Sequence, residues 1–196
     1  MKRQLPPGQF ETEKWPILHT GDVPEFNEIT WNFRLFGEVK QEKSLSYKEF
    51  MELPKTISTV NMHCVTTWSK FDTTFEGIAL RELLKLVEMN EGVKYIKIYG
   101  YSNRERFGYS ANLPLEPLLG DDSLFVFRWK DKNHEWQDID LKHGYPLRFI
   151  PPEEFYLWKG TKWVSGIEFM KEDEAGYWEE RGYSMTANPF KEERYR

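Results

Sequence analysis

Residues 62–77 of this chain, MHCVTTWSKFDTTFEG, contain Cys64, which is the only cysteine among 196 residues. The preceding stretch, TISTVNMHC, is β-branched and alternating, which predicts a strand that ends at Cys64 and leads into a polar loop. His63 stands immediately before the thiol. Since a single thiol cannot form an internal disulfide, Cys64 is available for packing, nucleophilic attack, intermolecular redox chemistry or metal ligation.

The composition of the chain limits the classes of function that it can have. With 39% hydrophobic and 30% charged residues, we expect a single domain over residues 1–196, with residues 1–30 as an extended arm packed on it. The net charge of -5 is spread in alternating signs without a basic block, so we expect no nucleic acid partner. The start, MKRQLPPGQF, has no apolar export segment after it, and no run of about 18 apolar residues occurs. We therefore expect no membrane partner and a cytoplasmic location.

Hydrophobic periodicity predicts an α+β fold with short connections between its elements. The spacing of Ser46 and Glu49 in SYKEFMEL is that of a helix capping box, and IALRELLKLVEM has an apolar helical face. Strands are predicted in WNFRLFGEV, TISTVNMHC, KYIKIYGY, SLFVFRW, WQDIDL, PLRFI and TKWVSGIEF. The predicted class is α+β with a large mixed sheet system.

The residues alone leave several uses of Cys64 open. Packing in a core is the usual fate of a free cysteine, but the segment up to Lys70 is rich in donors that stabilise a thiolate. A nucleophilic role would pair Cys64 with His63; HCVTTWSK has the spacing of a phosphatase loop but lacks its Gly, and Lys70 stands where its Arg should be. Metal ligation by one thiolate suits zinc poorly and favours a metal whose remaining ligands come from a cofactor, such as molybdenum on a pterin dithiolene.

The stretch HCVTTWSKFDTTFEGIALRELL resembles the cysteine segment of the sulfite oxidase superfamily of molybdopterin enzymes, particularly its short stand-alone prokaryotic branch. The similarity continues in order through HTGDVP, GYSANLPLE, HGYPLRFIPPEEFYLWKGTKWVSGIEF and GYWEERGYSMTANPFKEERY. The resemblance implies the compact mixed-sheet molybdopterin-binding domain of the sulfite oxidase type. It also implies an enzyme, a molybdopterin-dependent oxidoreductase, whose cofactors are molybdenum and molybdopterin.

The resemblance also implies a set of site residues. Cys64 matches the cysteine that ligates molybdenum, which makes it the implied metal ligand and catalytic residue. His143 and Arg148 match a pair that holds the pterin, and KGTKW matches the segment that receives the cofactor phosphate. Two amides, a hydroxyl and a cation in KGTKW suit a dianion. The implied cofactor-binding residues are His19, Thr20, Cys64, Ser102, His143, Arg148, Gly160, Thr161 and Lys162.

Two departures from the sulfite oxidase pattern bear on the substrate. Sulfite oxidases have an arginine where this chain has Leu18, and a tyrosine near the metal where this chain has Phe127. Without that cation and hydroxyl a small dianion is costly to desolvate and hold, so we expect an S- or N-oxide rather than sulfite as the small-molecule substrate of oxygen-atom transfer. Arg104 or Arg106 could take over the anion contact if sulfite is nevertheless used.

The chain has no haem or iron–sulfur motif, so a separate electron-transfer partner is expected. Two alternatives to the molybdenum enzyme stay open. One is a cysteine-nucleophile hydrolase that uses Cys64 and His63, and the other is a non-catalytic pterin-binding module.

Overall fold

The structure, a computed structural model, describes residues 4–102 and 108–196. Strands make up most of its regular structure: Phe10–Glu11 (β1), Asn32–Gly37 (β2), Lys43–Ser46 (β3), Thr56–His63 (β4), Trp68–Ala79 (β5), Tyr95–Gly100 (β6), Ser110–Pro114 (β7), Leu124–Lys130 (β8), Trp136–Asp138 (β9), Arg148–Ile150 (β10) and Val164–Met170 (β11). The α-helices are Tyr47–Met51 (α1) and Leu80–Leu84 (α2). Single 3₁₀ turns occupy Glu116–Leu119, Leu141–His143, Leu157–Lys159, Glu179–Arg181 and Pro189–Lys191.

The described strands form two sheets. The first has the order β1-β5-β8-β10, with β4 also paired to β5 and β9 to β8, and the second has the order β3-β2-β11-β6-β7. Pairing is parallel between β1 and β5 and between β2 and β11, and antiparallel elsewhere. This sheet-rich arrangement with few helices is the predicted mixed α+β class.

Apolar side chains from both sheets share the larger core. Phe33 of β2 meets Phe125 of β8 with ring centroids 5.6 Å apart, and Phe125 meets Phe149 of β10 at 4.9 Å. All three rings are fully buried. A second cluster of buried residues surrounds Cys64 and includes Trp15 and Trp68. The thiol therefore lies where the first sheet and the amino-terminal segment pack together.

The polar loop predicted after Cys64 is much shorter than expected, because only residues 64–67 separate β4 from the twelve-residue strand β5. The sequence of β5 is rich in hydroxyl groups, but its side chains alternate between buried and more exposed positions, and Phe71, Thr73 and Phe75 are buried. Threonine has high β-propensity, so a run of hydroxyls does not by itself indicate a loop. The predicted strand is confirmed, although it ends at His63, one residue before the expected end at Cys64.

The two predicted helices are present, but their lengths differ from expectation. At α1, the side chain of Ser46 accepts from the backbone N–H of Glu49 at 3.3 Å and the Glu49 carboxylate accepts from the backbone N–H of Ser46 at 2.8 Å, so the capping box is confirmed. The helix predicted in IALRELLKLVEM is confined to Leu80–Leu84. Its expected first residues, Ile78 and Ala79, instead pair with β8 as the end of β5.

The amino-terminal segment runs along the first sheet with little regular structure of its own. Its strand β1 pairs with β5, where the backbone N–H of Phe10 donates to the Thr67 carbonyl at 2.9 Å and that of Thr12 donates to the Ser69 carbonyl at 2.9 Å. The segment is thereby fixed next to the Cys64 turn. Among the described residues, no helix has the length and apolar character that crossing a bilayer requires.

Candidate cofactor site around Cys64

A pocket of about 310 Å³ opens beside Cys64. The amino-terminal segment, the turn after β4, β10 and the segments around Trp158 and Trp178 build its walls. The lining residues are Pro16, Leu18, His19, Thr20, Cys64, Val65, Thr66, Trp68, Tyr109, Arg148, Leu157, Trp158, Gly160, Lys162, Trp163, Trp178 and Tyr183. A volume of this size is in the range of small-molecule and cofactor sites.

A tight turn presents the thiol to this pocket. The backbone N–H of Cys64 donates to the Trp68 carbonyl at 2.8 Å, and that of Thr67 donates to the Cys64 carbonyl at 3.0 Å. Thr67 has a positive φ of 75°, a conformation that is uncommon for a residue with a branched side chain. The Sγ atom lies 3.2 Å from the hydroxyl of Thr66, and the residue is only 6% exposed. The thiol is therefore held at a defined place in the pocket wall.

Two cations, Arg148 and Lys162, are buried in the same wall with relative exposures of 4% and 8%. Arg148 donates from Nη1 to the His143 carbonyl at 3.0 Å, while its buried Nε has no hydrogen-bond partner among the described residues. Burial lowers the pKa of Arg148 to about 10. Burial, followed by the neighbouring charge of Arg148, lowers the pKa of Lys162 to about 7. Such a pair is satisfied by an anion between the two side chains.

A glycine allows these two side chains to approach each other. Gly144 has a φ of +121°, and a Cβ atom built on it would lie 3.1 Å from the Cβ atoms of both Arg148 and Lys162. A larger residue would be strained in this backbone conformation and would also push the two stems apart. The sequence HGYPLR thus provides both the cation and the space that it needs.

The pocket brings together His19, Thr20, Cys64, Arg148, Gly160 and Lys162 from the set that the resemblance implied. Ser102, His143 and Thr161 do not line it. His143 lies behind the wall, with Nδ1 2.9 Å from the Asp140 carboxylate and Nε2 3.0 Å from the Trp15 carbonyl. Thr161 is fully buried and donates to the Ile98 carbonyl at 3.3 Å. A direct contact of these three residues with a cofactor stays a prediction.

Leu18 and Phe127 were both expected near the substrate, but the structure places only Leu18 in the pocket wall. Leu18 lines the pocket and is 59% exposed. Phe127 does not line it: it is 5% exposed in the core shared by the two sheets, with Lys55 above its ring. Successive residues of a strand point to opposite faces, and on β8 it is Val126 that joins the cluster around Cys64. Arg104 and Arg106 lie outside the described residues.

Aromatic side chains that the sequence reasoning missed form much of the remaining wall. Trp158 stacks on Tyr156 with centroids 5.1 Å apart and meets Tyr183 at 5.0 Å, and Tyr183 meets Trp178 at 4.9 Å. Tyr109 donates from its hydroxyl to the Trp158 carbonyl. The high aromatic content was a signal for such a wall, but it could not say which rings reach the pocket.

His63 is not arranged to activate the thiol of Cys64. Its ring is fully buried, with Nδ1 2.8 Å from the Ser69 hydroxyl and its other contacts to the rings of Phe71 and Phe190. Burial lowers the pKa of His63 to about 4. A general base must reach the nucleophile that it deprotonates, and His63 is not among the residues that line the pocket. The hydrolase alternative therefore has no support from the geometry.

The donor set of the pocket fits a molybdopterin cofactor. One soft thiol faces the cavity, two buried cations with an unsatisfied N–H suit a phosphate, and indole rings suit a flat heterocycle. Together the fold and the pocket define a sheet-rich protein with a pocket suited to an anionic cofactor beside a single thiol.

The chain belongs to the oxidoreductase molybdopterin binding domain family, whose model matches residues 20–178. It is accordingly an enzyme, an oxidoreductase that binds molybdenum as Mo-molybdopterin. The expectations of family, enzyme class and cofactor are confirmed.

Comparisons with individual proteins agree with this assignment. The chain is 33% identical over 193 residues to an uncharacterised oxidoreductase, YuiH, of Bacillus subtilis, covering 98% of this chain and 92% of the relative. It is 24% identical to the catalytic subunit of the protein-methionine-sulfoxide reductase MsrP of Campylobacter jejuni, covering 92% of this chain and 64% of that protein. It is 20% identical to sulfite oxidase of Arabidopsis thaliana, covering 84% of this chain and 48% of the relative.

A solved structure shows the same fold. The sulfane dehydrogenase SoxCD from Paracoccus pantotrophus superposes with a TM-score of 0.67 at 16% sequence identity, over 80% of this chain and 42% of that chain. The predicted sulfite oxidase type of fold is thereby confirmed.

Proposed function

We propose that this enzyme reduces a small neutral S-oxide or N-oxide by oxygen-atom transfer, with Cys64 as the protein ligand of molybdenum. The bound cofactor supplies two-electron oxygen-atom chemistry at a mononuclear metal. The observation that carries the proposal is the lining of the Cys64 pocket, where a thiol and two buried cations share the wall with indole and aliphatic side chains.

Arg148 and Lys162 are proposed to bind the cofactor phosphate, together with the backbone around Gly160. Both cations are more than nine-tenths buried, and neither has a carboxylate partner among the described residues. A dianion would supply the charge that offsets their desolvation. His19 and Thr20 are proposed to contact the pterin from the amino-terminal segment, since Thr20 is held in place at 3.1 Å from the Tyr177 hydroxyl.

The preference for a neutral substrate follows from the charge that remains once the cofactor is bound. Among the described lining residues, Arg148 and Lys162 are the basic side chains that a bound phosphate would keep charged, and the phosphate would occupy both. A dianion such as sulfite would then lose its hydration without a charged partner. Leu18 and the indoles would instead contact the apolar substituents of a neutral oxide.

Tyr183 offers a hydroxyl to such a substrate, whereas Tyr109 donates its proton to the Trp158 carbonyl. Burial raises the pKa of Tyr183, so its side chain remains neutral over the physiological range. A neutral hydroxyl can donate to the weakly basic oxygen of a sulfoxide or an amine oxide. The name of the MsrP relative, a methionine-sulfoxide reductase, supports this substrate class, whereas the sulfite oxidase relative makes sulfite the competing candidate.

Steady-state kinetics on molybdenum-loaded protein separate the two candidates. Sulfoxide or amine-oxide reduction is followed with a reduced dye as the electron donor, and sulfite oxidation with an oxidised dye as the acceptor. We expect kcat/KM for sulfite well below the roughly 10⁴ M⁻¹s⁻¹ at the low end of evolved enzymes, and a higher value for at least one neutral oxide. A high kcat/KM for sulfite in the native protein would overturn the proposal.

Leu18→Arg should shift the substrate preference, because it places a cation at the mouth of the pocket. Leu18 is largely exposed, so the longer side chain is accommodated without a core rearrangement. A charge-assisted contact contributes about 1.5 to 3 kcal/mol, so we expect KM for sulfite to fall roughly ten- to hundredfold. Leu18→Met is the matched control and should leave KM for sulfite unchanged. An equal response of the two variants would show that residue 18 does not face the substrate.

We further propose that residues 1–196 act as one domain, that electrons come from a separate protein, and that the enzyme is cytoplasmic. The core shared by the two sheets supports the single domain. Dye-dependent turnover by the isolated chain, without turnover by nicotinamide alone, would agree with a separate electron donor. Cell fractionation tests the location.

A further inference from the structure

We propose that Gln9 and Arg194, from opposite ends of the chain, position the Cys64 thiolate by holding the turn formed by residues 64–67. This inference rests on the proposed role of Cys64 as the metal ligand. Gln9 and Arg194 both lie outside residues 20–178, the part of the chain that matches the family model. They are positioning residues, since neither side chain lines the pocket.

Side chains from both termini bind successive carbonyl groups of this turn. Gln9 donates from Nε2 to the Cys64 carbonyl at 3.0 Å. Arg194 donates from Nη1 to the next carbonyl, that of Val65. The backbone N–H of Phe10 donates to the Thr67 carbonyl, and the hydroxyl of Thr67 donates to the Thr66 carbonyl. Each carbonyl of the turn thus has a donor, and most of these donors come from the ends of the chain.

Gln9 is itself held in place by a second set of contacts. The Ser69 hydroxyl donates to its Oε1 at 3.3 Å, and the same hydroxyl lies 2.8 Å from Nδ1 of the buried His63. On the other side, Arg194 lies over the ring of Tyr156, 5.0 Å from its centroid. Both side chains are therefore oriented before any cofactor binds, which is what an outer-shell contact needs in order to fix a ligand.

The backbone of the turn explains why such support is needed. Thr67 has a φ of 75°, a strained conformation for a β-branched residue that persists only where the surrounding structure enforces it. Cys64 follows the last residue of β4, so it lacks the two-sided pairing that fixes residues in the middle of a sheet. Without the contacts from Gln9 and Arg194, the turn could relax and the thiol would move relative to the two cations.

Cys64 is the only thiol of the chain, so its reaction with a chromogenic disulfide reports on this turn in the apo protein. Gln9→Met removes the donor with little change in size, and Gln4→Met is the matched control at an exposed position of the same segment. Arg194→Met and Arg196→Met form the second pair. The rates are measured over a range of pH up to the plateau at which the thiol is fully ionised. The plateau rates are compared, so a change in the ionisation of the thiol does not affect the comparison.

We expect the limiting thiolate rate to rise about tenfold in Gln9→Met and in Arg194→Met, the effect of one lost hydrogen bond on the opening of the turn. The two controls should match the native protein. In loaded protein, Gln9→Met should also change the electron paramagnetic resonance g-values of the half-reduced centre, which a merely structural role would leave unchanged. Native thiol rates in both variants, or native g-values in loaded Gln9→Met, would overturn the inference. If one variant does not fold, the other decides.

The thiol assay needs no cofactor, so its result is independent of the proposed reaction. If the protein bound no molybdenum on reconstitution while its apo variants showed the faster thiol reaction, the metal-ligand role would be refuted and the support of the turn by Gln9 and Arg194 would stand. If the loaded protein turned over normally and the thiol reacted at the native rate in both variants, the positioning role of Gln9 and Arg194 would be refuted and Cys64 would remain the proposed metal ligand.

Discussion

Individual residues carry most of the chemistry of this protein, and Cys64 shows how one position was identified. Its uniqueness and its place after a strand left packing, nucleophilic attack and metal ligation open, and the structure then placed the thiol in a pocket with two cations. The cations could be proposed because the resemblance includes HGYPLR and KGTKW, two contiguous motifs that contain them. The aromatic wall could not, since no motif gave a role to Tyr109, Trp178 or Tyr183, and only the fold brings Tyr109 next to the other two.

Cys64→Ser should abolish turnover without unfolding the protein. A serine oxygen is a harder ligand than a thiolate, while the change in side-chain volume is small and costs little packing energy. Circular dichroism and thermal unfolding should match the native protein, and dye-linked turnover of the loaded variant should be lost. Thr66→Val is the control, because it removes the hydroxyl that lies 3.2 Å from Sγ and should retain turnover. Native turnover in loaded Cys64→Ser would refute the ligand assignment.

Lys162 should make the stability of the apo protein depend on pH. Its pKa falls from 10.5 in the unfolded chain to about 7 in the folded protein, because burial and Arg148 disfavour its charged form. Between these values the unfolded state binds more protons, so the free energy of unfolding rises with pH from about 7 to 10.5, and the cost of the buried charge is fully present below 7.

Lys162→Met should remove this contribution, so its urea unfolding curve should change less between pH 7 and 10 than that of the native apo protein. Lys40→Met changes an exposed lysine and should keep the native slope. Cofactor binding should also flatten the slope, since the phosphate favours the charged form. If the free energy of unfolding depended on pH equally in the native protein and in Lys162→Met, folding would not lower the pKa of Lys162.

At the scale of elements, β5 shows why part of the fold escaped prediction. Its first half contains threonine, serine and lysine, and the positive φ of Asp72 interrupts the extended backbone, so local sequence patterns favour a loop. The strand forms because β4, β1 and β8 pair with it, which is information that lies in distant parts of the chain. By contrast α1 was predictable, because the capping box is complete within four residues.

Gly77 allows β5 and β8 to approach closely, and Gly77→Ala should destabilise the sheet. A Cβ atom at Gly77 would lie 2.4 Å from the Phe125 carbonyl oxygen, next to a shift in the β5–β8 register. Backbone cannot move away as a flexible side chain can, so we expect the free energy of unfolding to fall by about 1 to 3 kcal/mol. Urea denaturation of the apo protein measures this change.

Thr74→Ala is the control on the same strand. It removes a hydroxyl that lies 2.9 Å from that of Thr59, a cross-strand pair worth about 0.2 to 1 kcal/mol. If Gly77→Ala lowered the free energy of unfolding by no more than Thr74→Ala does, β5 and β8 would not approach each other at Gly77 as closely as the structure shows.

At the scale of the whole molecule, contacts between distant segments complete the site. The bond from Gln9 to Cys64 spans 55 positions, and that from Arg194 to Val65 spans 129. Gln9 belongs to none of the quoted motifs, and Arg194, although it lies in GYWEERGYSMTANPFKEERY, was given no role by periodicity, spacing or the resemblance. Glu179 lies in the same motif and was likewise given no role, although it contacts Trp158 of the pocket wall.

Glu179 forms a fully buried ion pair with Lys159, at 2.6 Å between Oε1 and Nζ. Asn112 accepts from the same Nζ at 2.8 Å, and Trp158 of the pocket wall donates to Glu179 at 2.9 Å. Removing either charge alone leaves the other desolvated and unpaired, so Lys159→Met and Glu179→Leu should each lower the free energy of unfolding by about 3 to 5 kcal/mol.

The double variant decides whether charge pairing or packing dominates this region. With both charges gone no ion remains buried, so Lys159→Met combined with Glu179→Leu should be more stable than the sum of the single effects implies. Recovery should be incomplete, because Trp158 still loses its acceptor. Lys171 and Glu38 form an exposed pair at 3.2 Å, and the same cycle there should give a coupling of about 0 to 1 kcal/mol. Additive losses at Lys159 and Glu179 in urea denaturation would mean that the two charges do not stabilise each other, and that packing alone joins the carboxyl-terminal segment to the pocket wall.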